Sequence, residues 1–271
     1  MKQVKSGAVV EEPKVGSLWE MVRKAQVVTF IGAGGKTTCL NRLTWEIDQA
    51  GHPVIATTTT KVYPQVFPSL WQNAREFPFL ETVVPCFWYA GVEKASGKWQ
   101  GISVDVVDSA ILKEPKYFWV IEGDGAREHR LKCWAAHEPQ IPRCSEAAVL
   151  VIDGHLWGKK LREDDIHRFE LCKDFVGKVW NTELAWRYIL SSPVFNELFG
   201  DISWFVLFNM WDKEHAEQER AELSKLKKLG EEFLDQTQDH LHTPSDIRLP
   251  HHLRLSAGNA KEGSLRWYDL W

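Results

Sequence analysis

The sequence predicts an α/β fold, a mostly parallel sheet with helices on both faces. Short apolar, β-branched runs recur at 26–31, 53–59, 117–122, 147–154 and 204–209, each the length of a buried strand. Stretches with helical spacing of apolar residues lie between them, and such alternation implies parallel strands joined by crossovers. Polar or glycine-rich segments follow the strands, and ligands in such sheets sit at the strands' carboxyl ends. With 271 residues, 44% of them hydrophobic, the chain can bury the core of one such domain spanning 1–271.

In chain order, SLWEMVRKA (17–25) has helical character behind Ser17, and QVVTFI (26–31) is the first buried strand. A helix begins near Lys36 after a glycine-rich loop. Its Leu40, Leu43 and Ile47 share a face, and Gly51 marks its end. PVIATTT (53–59) is a second strand with a polar end. VVPCFWYAGVEKASGKWQGIS (83–103) holds a Ser-Gly turn between two strand-like arms, which predicts a β-hairpin insertion. VDVVDSAILKEP reads as a helix stopped by Pro115, YFWVIE (117–122) as the third strand and AAVLVIDG (147–154) as the fourth. The segment 162–200 reads as helical, broken at Pro193. WFVLFN (204–209) is a fifth strand. A long helix at 213–236 follows, with Leu223, Leu226, Phe233 and Leu234 at helical spacing, and HLRLSA (252–257) is a final strand.

Net charge is −4, so nothing suggests electrostatic capture of nucleic acid. No uninterrupted apolar run approaches the roughly 18 residues of a membrane helix. The start, MKQVKSGAVVEEPKVG, has acids and a proline where a secretion signal needs an apolar centre. The cysteines Cys39, Cys86, Cys133, Cys144 and Cys172 are odd in number and never form a CxxC pair. The expectation is a reduced, cytoplasmic protein without a zinc ribbon. Fourteen tryptophans are many for this length, and core and pocket filling is the use expected of them.

The chemistry concentrates in FIGAGGKTTC (30–39). A common phosphate loop is Gly, four residues, then Gly-Lys-Ser/Thr, which needs glycine where this chain has Phe30; the first glycine present is Gly32. Strand, Gly-Lys-Thr-Thr and amphipathic helix in succession still form the context of a phosphate site. The loop therefore reads as a compact variant made of Gly32, Ala33, Gly34, Gly35, Lys36, Thr37 and Thr38, and the fold as P-loop NTPase-like. Glycines turn backbone N–H groups toward an anion, and the helix start adds positive potential. Lys36 would meet the outer phosphates of ATP or GTP, and Thr37 would offer its hydroxyl to Mg²⁺. A plain strand-to-helix turn using glycine for positive φ is the alternative. A Gly-x-x-Gly-Lys-Thr loop of this form also occurs in the ATP-dependent ligases of cell-wall synthesis.

Other candidates follow strand ends. Thr60 and Lys61 close the threonine-rich second strand, where a hydroxyl suits Mg²⁺ and an ammonium a phosphate, although threonines are also good strand formers. Glu122 and Asp124 lie at the mouth of the third strand, where P-loop enzymes keep an acid that binds Mg²⁺ or orients water; Asp-Gly is equally a turn pair. Spacing does not decide which acid faces the metal. Arg127 follows them. His137 and Glu138 precede Pro139, suited to proton transfer or to a rigid loop. Asn209 and Asp212 after the fifth strand match part of the Asn-Lys-x-Asp guanine signature, with Met210 in the lysine position; Asp212 equally suits a helix N-cap.

VVTFIGAGGKTT, VIATTTTK, VIEGDGAR, AAHEPQIP and LFNMWD, in this order, resemble the YqeC-type family, known as selenium-dependent hydroxylase accessory proteins. The resemblance runs from about residue 26 to about residue 212. It implies a P-loop nucleotide-binding fold and a cytoplasmic role in maturing molybdenum hydroxylases that need a labile selenium cofactor. The family loop maps onto Gly32, Gly34, Gly35, Lys36 and Thr37, the acidic motif onto Glu122, Asp124 and Arg127, and His137 and Glu138 belong to its pattern. Departures are Glu128, His129 and Arg130 in place of small residues and a proline, and Met210 in place of a lysine. The expected function is a Mg²⁺-dependent ATP- or GTP-binding accessory protein, an NTPase, with a molybdenum hydroxylase or selenium-delivery protein as partner. A small-molecule kinase or ligase, or a nucleotide-gated scaffold with exposed tryptophans on the hairpin, are the alternatives.

Overall fold

A computed structural model describes residues 11–64, 69–71, 77, 84–209, 216–238 and 248–271. In chain order the strands are β1 (Lys14–Gly16), β2 (Val27–Gly32), β3 (Val54–Thr58), β4 (Ser69–Trp71), β5 (Cys86–Tyr89), β6 (Gly91–Val92), β7 (Trp99–Gln100), β8 (Phe118–Glu122), β9 (Leu131–Lys132), β10 (Ala147–Asp153), β11 (Ile166–His167), β12 (Ser203–Asn209), β13 (His252–Asn259) and β14 (Ser264–Asp269). The helices are α1 (Leu18–Met21), α2 (Lys36–Gln49), α3 (Val104–Lys113), α4 (Thr182–Leu190) and α5 (Ala216–Gln238). Ten strands form one sheet in the order β1-β14-β13-β12-β10-β2-β8-β3-β5-β4. From β13 to β4 every neighbouring pair is parallel; β14 and β1 close one edge antiparallel. This is the α/β architecture with a mostly parallel sheet that the alternating sequence implies.

Residue alternation along the central strands builds a core on each face. Val149 and Val151 of β10 join Val28 and Phe30 of β2 against Leu40, Leu43 and Ile47 of α2. Ala148, Leu150 and Ile152 point the other way, toward Leu184, Tyr188 and Ile189 of α4 and Leu223 and Leu226 of α5. A third cluster packs Val107 and Ile111 of α3 on Ile55, Trp88, Trp119 and Ile121. Trp88, Trp119, Trp180 and Trp204 are fully buried, so much of the tryptophan content is core filling.

Several expected elements differ. The arm at 86–89 is not part of the hairpin: it joins the sheet beside β3, and only β6 and β7 pair antiparallel. Its aromatic side chains explain this, since Phe87 and Trp88 serve opposite cores. Trp88 and Trp99, the tryptophans of the segment expected as a hairpin, are buried, so they form no exposed aromatic patch of the kind expected of a scaffold. The segment 162–200 is mostly single 3₁₀ turns with one α-helix, α4, because Gly177, Pro193 and left-handed Arg168 interrupt the helical hydrogen-bond ladder. The helix behind Ser17 is one turn, capped reciprocally by Ser17 and Glu20 and ended by left-handed Arg23 and Lys24. Strands β1 and β14, unforeseen in the sequence, form the antiparallel edge. Cys133 and Cys172 are joined by a disulfide, against the expectation of reduced cysteines, because the fold brings their Cα atoms to 6.4 Å. Among the described residues no helix is long and apolar enough to cross a membrane.

Candidate functional site

Strand β2 ends at Gly32, and the chain turns through three left-handed glycines, Gly32, Gly34 and Gly35 (φ +93°, +88° and +108°), into α2. The turn needs glycine at Gly34 for space as well: a Cβ there would stand 2.3 Å from the backbone nitrogen of Asp153. Gly35 is the N-cap of α2 and supplies no side chain to its first turn. The N–H groups of Gly34, Gly35, Lys36, Thr37 and Thr38 consequently have no acceptor among the described residues, while those of Gly32 and Ala33 are used by Asp124 and by Val151 O. Donors without acceptors at a helix start are of the kind that can receive an anion.

The sheet register sets an acid beside this loop. Glu122, last residue of β8, pairs with Phe30 on one side and Thr58 on the other. Its Oε2 accepts from Thr37 Oγ1 at 2.9 Å, and its Oε1 lies 4.0 Å from Lys36 Nζ. Lys36, 5% exposed, curls back to donate to Gly32 O at 2.5 Å and lies 3.2 Å from Asp124 Oδ1. Burial pushes the Glu122 carboxyl above the ordinary range; Lys36 and Thr37 oppose this and the Asp124 charge adds to it.

Asp124 has a different office. Its side chain is fully buried and accepts from Gly32 N–H at 3.1–3.2 Å and from Trp134 Nε1 at 2.7 Å, with the Lys132 ammonium 3.9 Å away. These contacts occupy both its oxygens. The pair whose oxygens could hold a metal is Thr37 with Glu122, and Asp124 holds the loop and Lys36 in place. Mg²⁺ needs only one or two carboxylates alongside phosphate oxygens, and this donor set fits that requirement.

Lys132 extends the cluster. It is fully buried, donates to Gly125 O at 2.5 Å and lies 3.0 Å from Glu138 Oε1, while Glu138 Oε2 meets Arg168 Nε at 2.9 Å. Burial alone would raise the Glu138 carboxyl, but Lys132, the Ala135 N–H and Arg168 together hold it below the ordinary range. Beyond Trp134 and Glu138 opens a cavity of about 950 Å³, also lined by Cys133, Cys172, Tyr188 and His137.

The remaining candidates are dispersed. Thr60 lies near Gly125, where a Cβ would come within 3.4 Å of its hydroxyl; Thr58 and Thr59 bond the Glu122 carbonyl and so hold β8's end. Lys61 points away and pairs with Glu93 on the hairpin. Arg127 is exposed, in a left-handed conformation, on a smaller cavity with His129 and His167. His137 is exposed at the mouth of the large cavity. Asn209 is fully buried beneath the loop, its amide donating to Gly34 O at 2.9 Å and accepting from Ala260 N at 3.0 Å, so it braces the loop instead of facing a base. Asp212 lies outside the described residues.

Sequence reasoning did not single out Lys132, Trp134, Arg168 or Asp153. For Asp153 a signal was there: VLVID ends an apolar strand in an acid just as FWVIE does, and Asp153 packs under Gly34 while its carboxylate accepts from His155 N–H. Lys132 and Trp134 sit on or beside a two-residue strand, too short for any periodicity to mark.

A family model described as YqeC protein matches residues 28–170. The Escherichia coli (strain K12) protein named "Uncharacterized protein YqeC" is 31% identical over 166 residues, covering 57% of this chain and 62% of that protein, so the match spans less than two thirds of the relative's length. No solved structure matches.

Proposed function

The chain belongs to the YqeC family, and from that premise we propose that it is a Mg²⁺-dependent ATP- or GTP-binding protein, an NTPase that serves maturation of selenium-dependent molybdenum hydroxylases. The observation that carries the nucleotide reading is the set of five acceptor-free N–H groups at the start of α2, with Lys36 held between Glu122 and Asp124 at their side. The N–H groups bind phosphate oxygens, and the Lys36 ammonium offsets charge on the outer phosphates. Thr37 and Glu122 would hold Mg²⁺, which would supply charge neutralisation at the phosphate oxygens. Asp124 fixes the loop through Gly32 N–H and keeps Lys36 close to it. The selenium role rests on family membership.

The test is calorimetric titration with MgATP and MgGTP, followed by phosphate release with and without a molybdenum hydroxylase or selenophosphate. Binding should be lost in Lys36→Ala, and release should rise with the partner present. Unchanged affinity in that variant would refute the phosphate-loop assignment. Binding without release under every condition would refute the NTPase assignment. A second reading, phosphoryl transfer to a small molecule, is favoured by the large cavity next to Trp134 and Glu138. It predicts label from γ-labelled nucleotide on an organic acceptor instead of on free phosphate.

A further inference from the structure

The Cys133–Cys172 disulfide takes no part in the nucleotide chemistry proposed above, yet both of its residues line the large cavity. We propose that it is a thiol-exchange site, which small-molecule thiols reach through that cavity. The two ends of the bond are held unequally. Cys133 is 7% exposed, directly follows β9, and its N–H donates to His167 O at 3.0 Å across the two-stranded β9–β11 sheet. Cys172 is only half-buried and lies between two single 3₁₀ turns at 169–171 and 173–175. That run starts from left-handed Arg168 and is held by local three-residue bonds such as Leu171 N to Arg168 O and Phe175 N to Cys172 O. One sulfur is therefore anchored, and the other sits on backbone able to shift as the bond opens.

No internal thiol competes for the bond. Cys39 and Cys86 are buried in the two other core clusters, and Cys144 packs against the second of those. The attacking thiol must come from outside, and a cavity of about 950 Å³ has room for one of tripeptide size. In the first step a thiolate attacks the Sγ of Cys172, the more exposed of the two residues. A bond forms between the incoming sulfur and Cys172, the Cys133–Cys172 bond breaks, and its electron pair leaves on Cys133 Sγ, which takes a proton from solvent. A second thiolate attacks the mixed disulfide, leaving Cys172 as a thiolate and releasing the symmetrical disulfide of the small molecule. Two thiols are oxidised and one protein disulfide is reduced.

The experiment uses the full chain in its disulfide form and glutathione as probe, without nucleotide, so it stands or falls independently of the nucleotide reading. Timed samples are quenched with iodoacetamide, and their peptides are mapped by mass spectrometry. One glutathione on the peptide containing Cys172, with Cys133 alkylated, is the expected result. Ser191→Trp and Arg187→Trp, two substitutions on the cavity lining and outside the acid cluster, should each slow adduct formation by about tenfold through loss of access. Either variant suffices if the other fails to fold, and unfolded samples of each should react as fast as unfolded wild type. Absence of any adduct until denaturant is added, glutathione found on Cys133, or unchanged rates in the folded variants would overturn the proposal.

Discussion

Replacing Lys36 with methionine is the sharpest perturbation of the acid cluster, because it keeps an unbranched side chain and deletes the charge. The ammonium is buried, 3.2 Å from Asp124 Oδ1, 4.0 Å from Glu122 Oε1 and 2.5 Å from Gly32 O. Removing one partner of a buried ion pair costs about 3–5 kcal/mol, since the other charge is left uncompensated. Asp124 keeps the Gly32 and Trp134 donors and the Lys132 ammonium 3.9 Å away, so the expected loss for Lys36→Met lies at the low end, about 3 kcal/mol. Glu122 keeps only Thr37, and its carboxyl, already raised by burial, rises further once Lys36 no longer opposes that burial.

The sign follows from proton binding. A carboxyl that holds its proton more tightly folded than unfolded contributes stability that is fully present below its ordinary pKa and lost as pH rises through the folded value. In the variant this window extends to higher pH. The deficit relative to wild type should accordingly be smaller near pH 5 than near pH 8. Urea unfolding at both pH values measures it, and Glu122→Gln added to the same variant should remove most of the difference between them. A loss below about 1 kcal/mol, or an equal loss at both pH values, would refute the coupling of Lys36 to these acids.

Three further outcomes are expected. Gly34→Ala should unfold several degrees below Gly51→Ala in thermal melts: both glycines are left-handed, but a Cβ at Gly34 strikes the Asp153 backbone at 2.3 Å and one at Gly51 meets nothing within 4 Å. Joint substitution of Cys133 and Cys172 by serine should cost about 4 kcal/mol in urea unfolding, from the closure entropy of a loop of 39 residues; a loss under about 1 kcal/mol would show that the bond does not constrain the unfolded chain. His167 is pushed down to about 4 by burial, with Lys132, Arg168 and His129 adding to the shift against Glu138, so the unfolded chain takes up its proton first. Stability should fall as pH drops from about 6.5 toward about 4, and His167→Gln should flatten the urea midpoint over that range.

The parallel sheet, the glycine loop and the acid at the end of β8 were legible because each depends on neighbours in sequence: β-branched runs, a strand-to-helix turn, one polar residue closing an apolar strand. Residue pattern alone did not separate Glu122 from Asp124. Both sit at the same strand mouth, and their difference arises from partners distant in the chain, Thr37 for Glu122 and Trp134 with Lys132 for Asp124. The strand-like arm at 86–89 pairs with β3 and not within the hairpin, because that pairing is decided by which cores take Phe87 and Trp88, not by the Ser-Gly turn that follows.

Local sequence determined the turn from β2 into α2: three glycines with positive φ, a lysine and a helix start lie within a few residues of one another. Tertiary structure decided what surrounds that place. It buried Asn209 as a brace beneath the loop, turned Lys61 outward to Glu93, brought Lys132 to the acids and joined Cys133 to Cys172 across 39 residues. A backbone turn is set by the conformational freedom of the residues that make it, whereas a charge's partner and a thiol's neighbour are set by how distant strands pack.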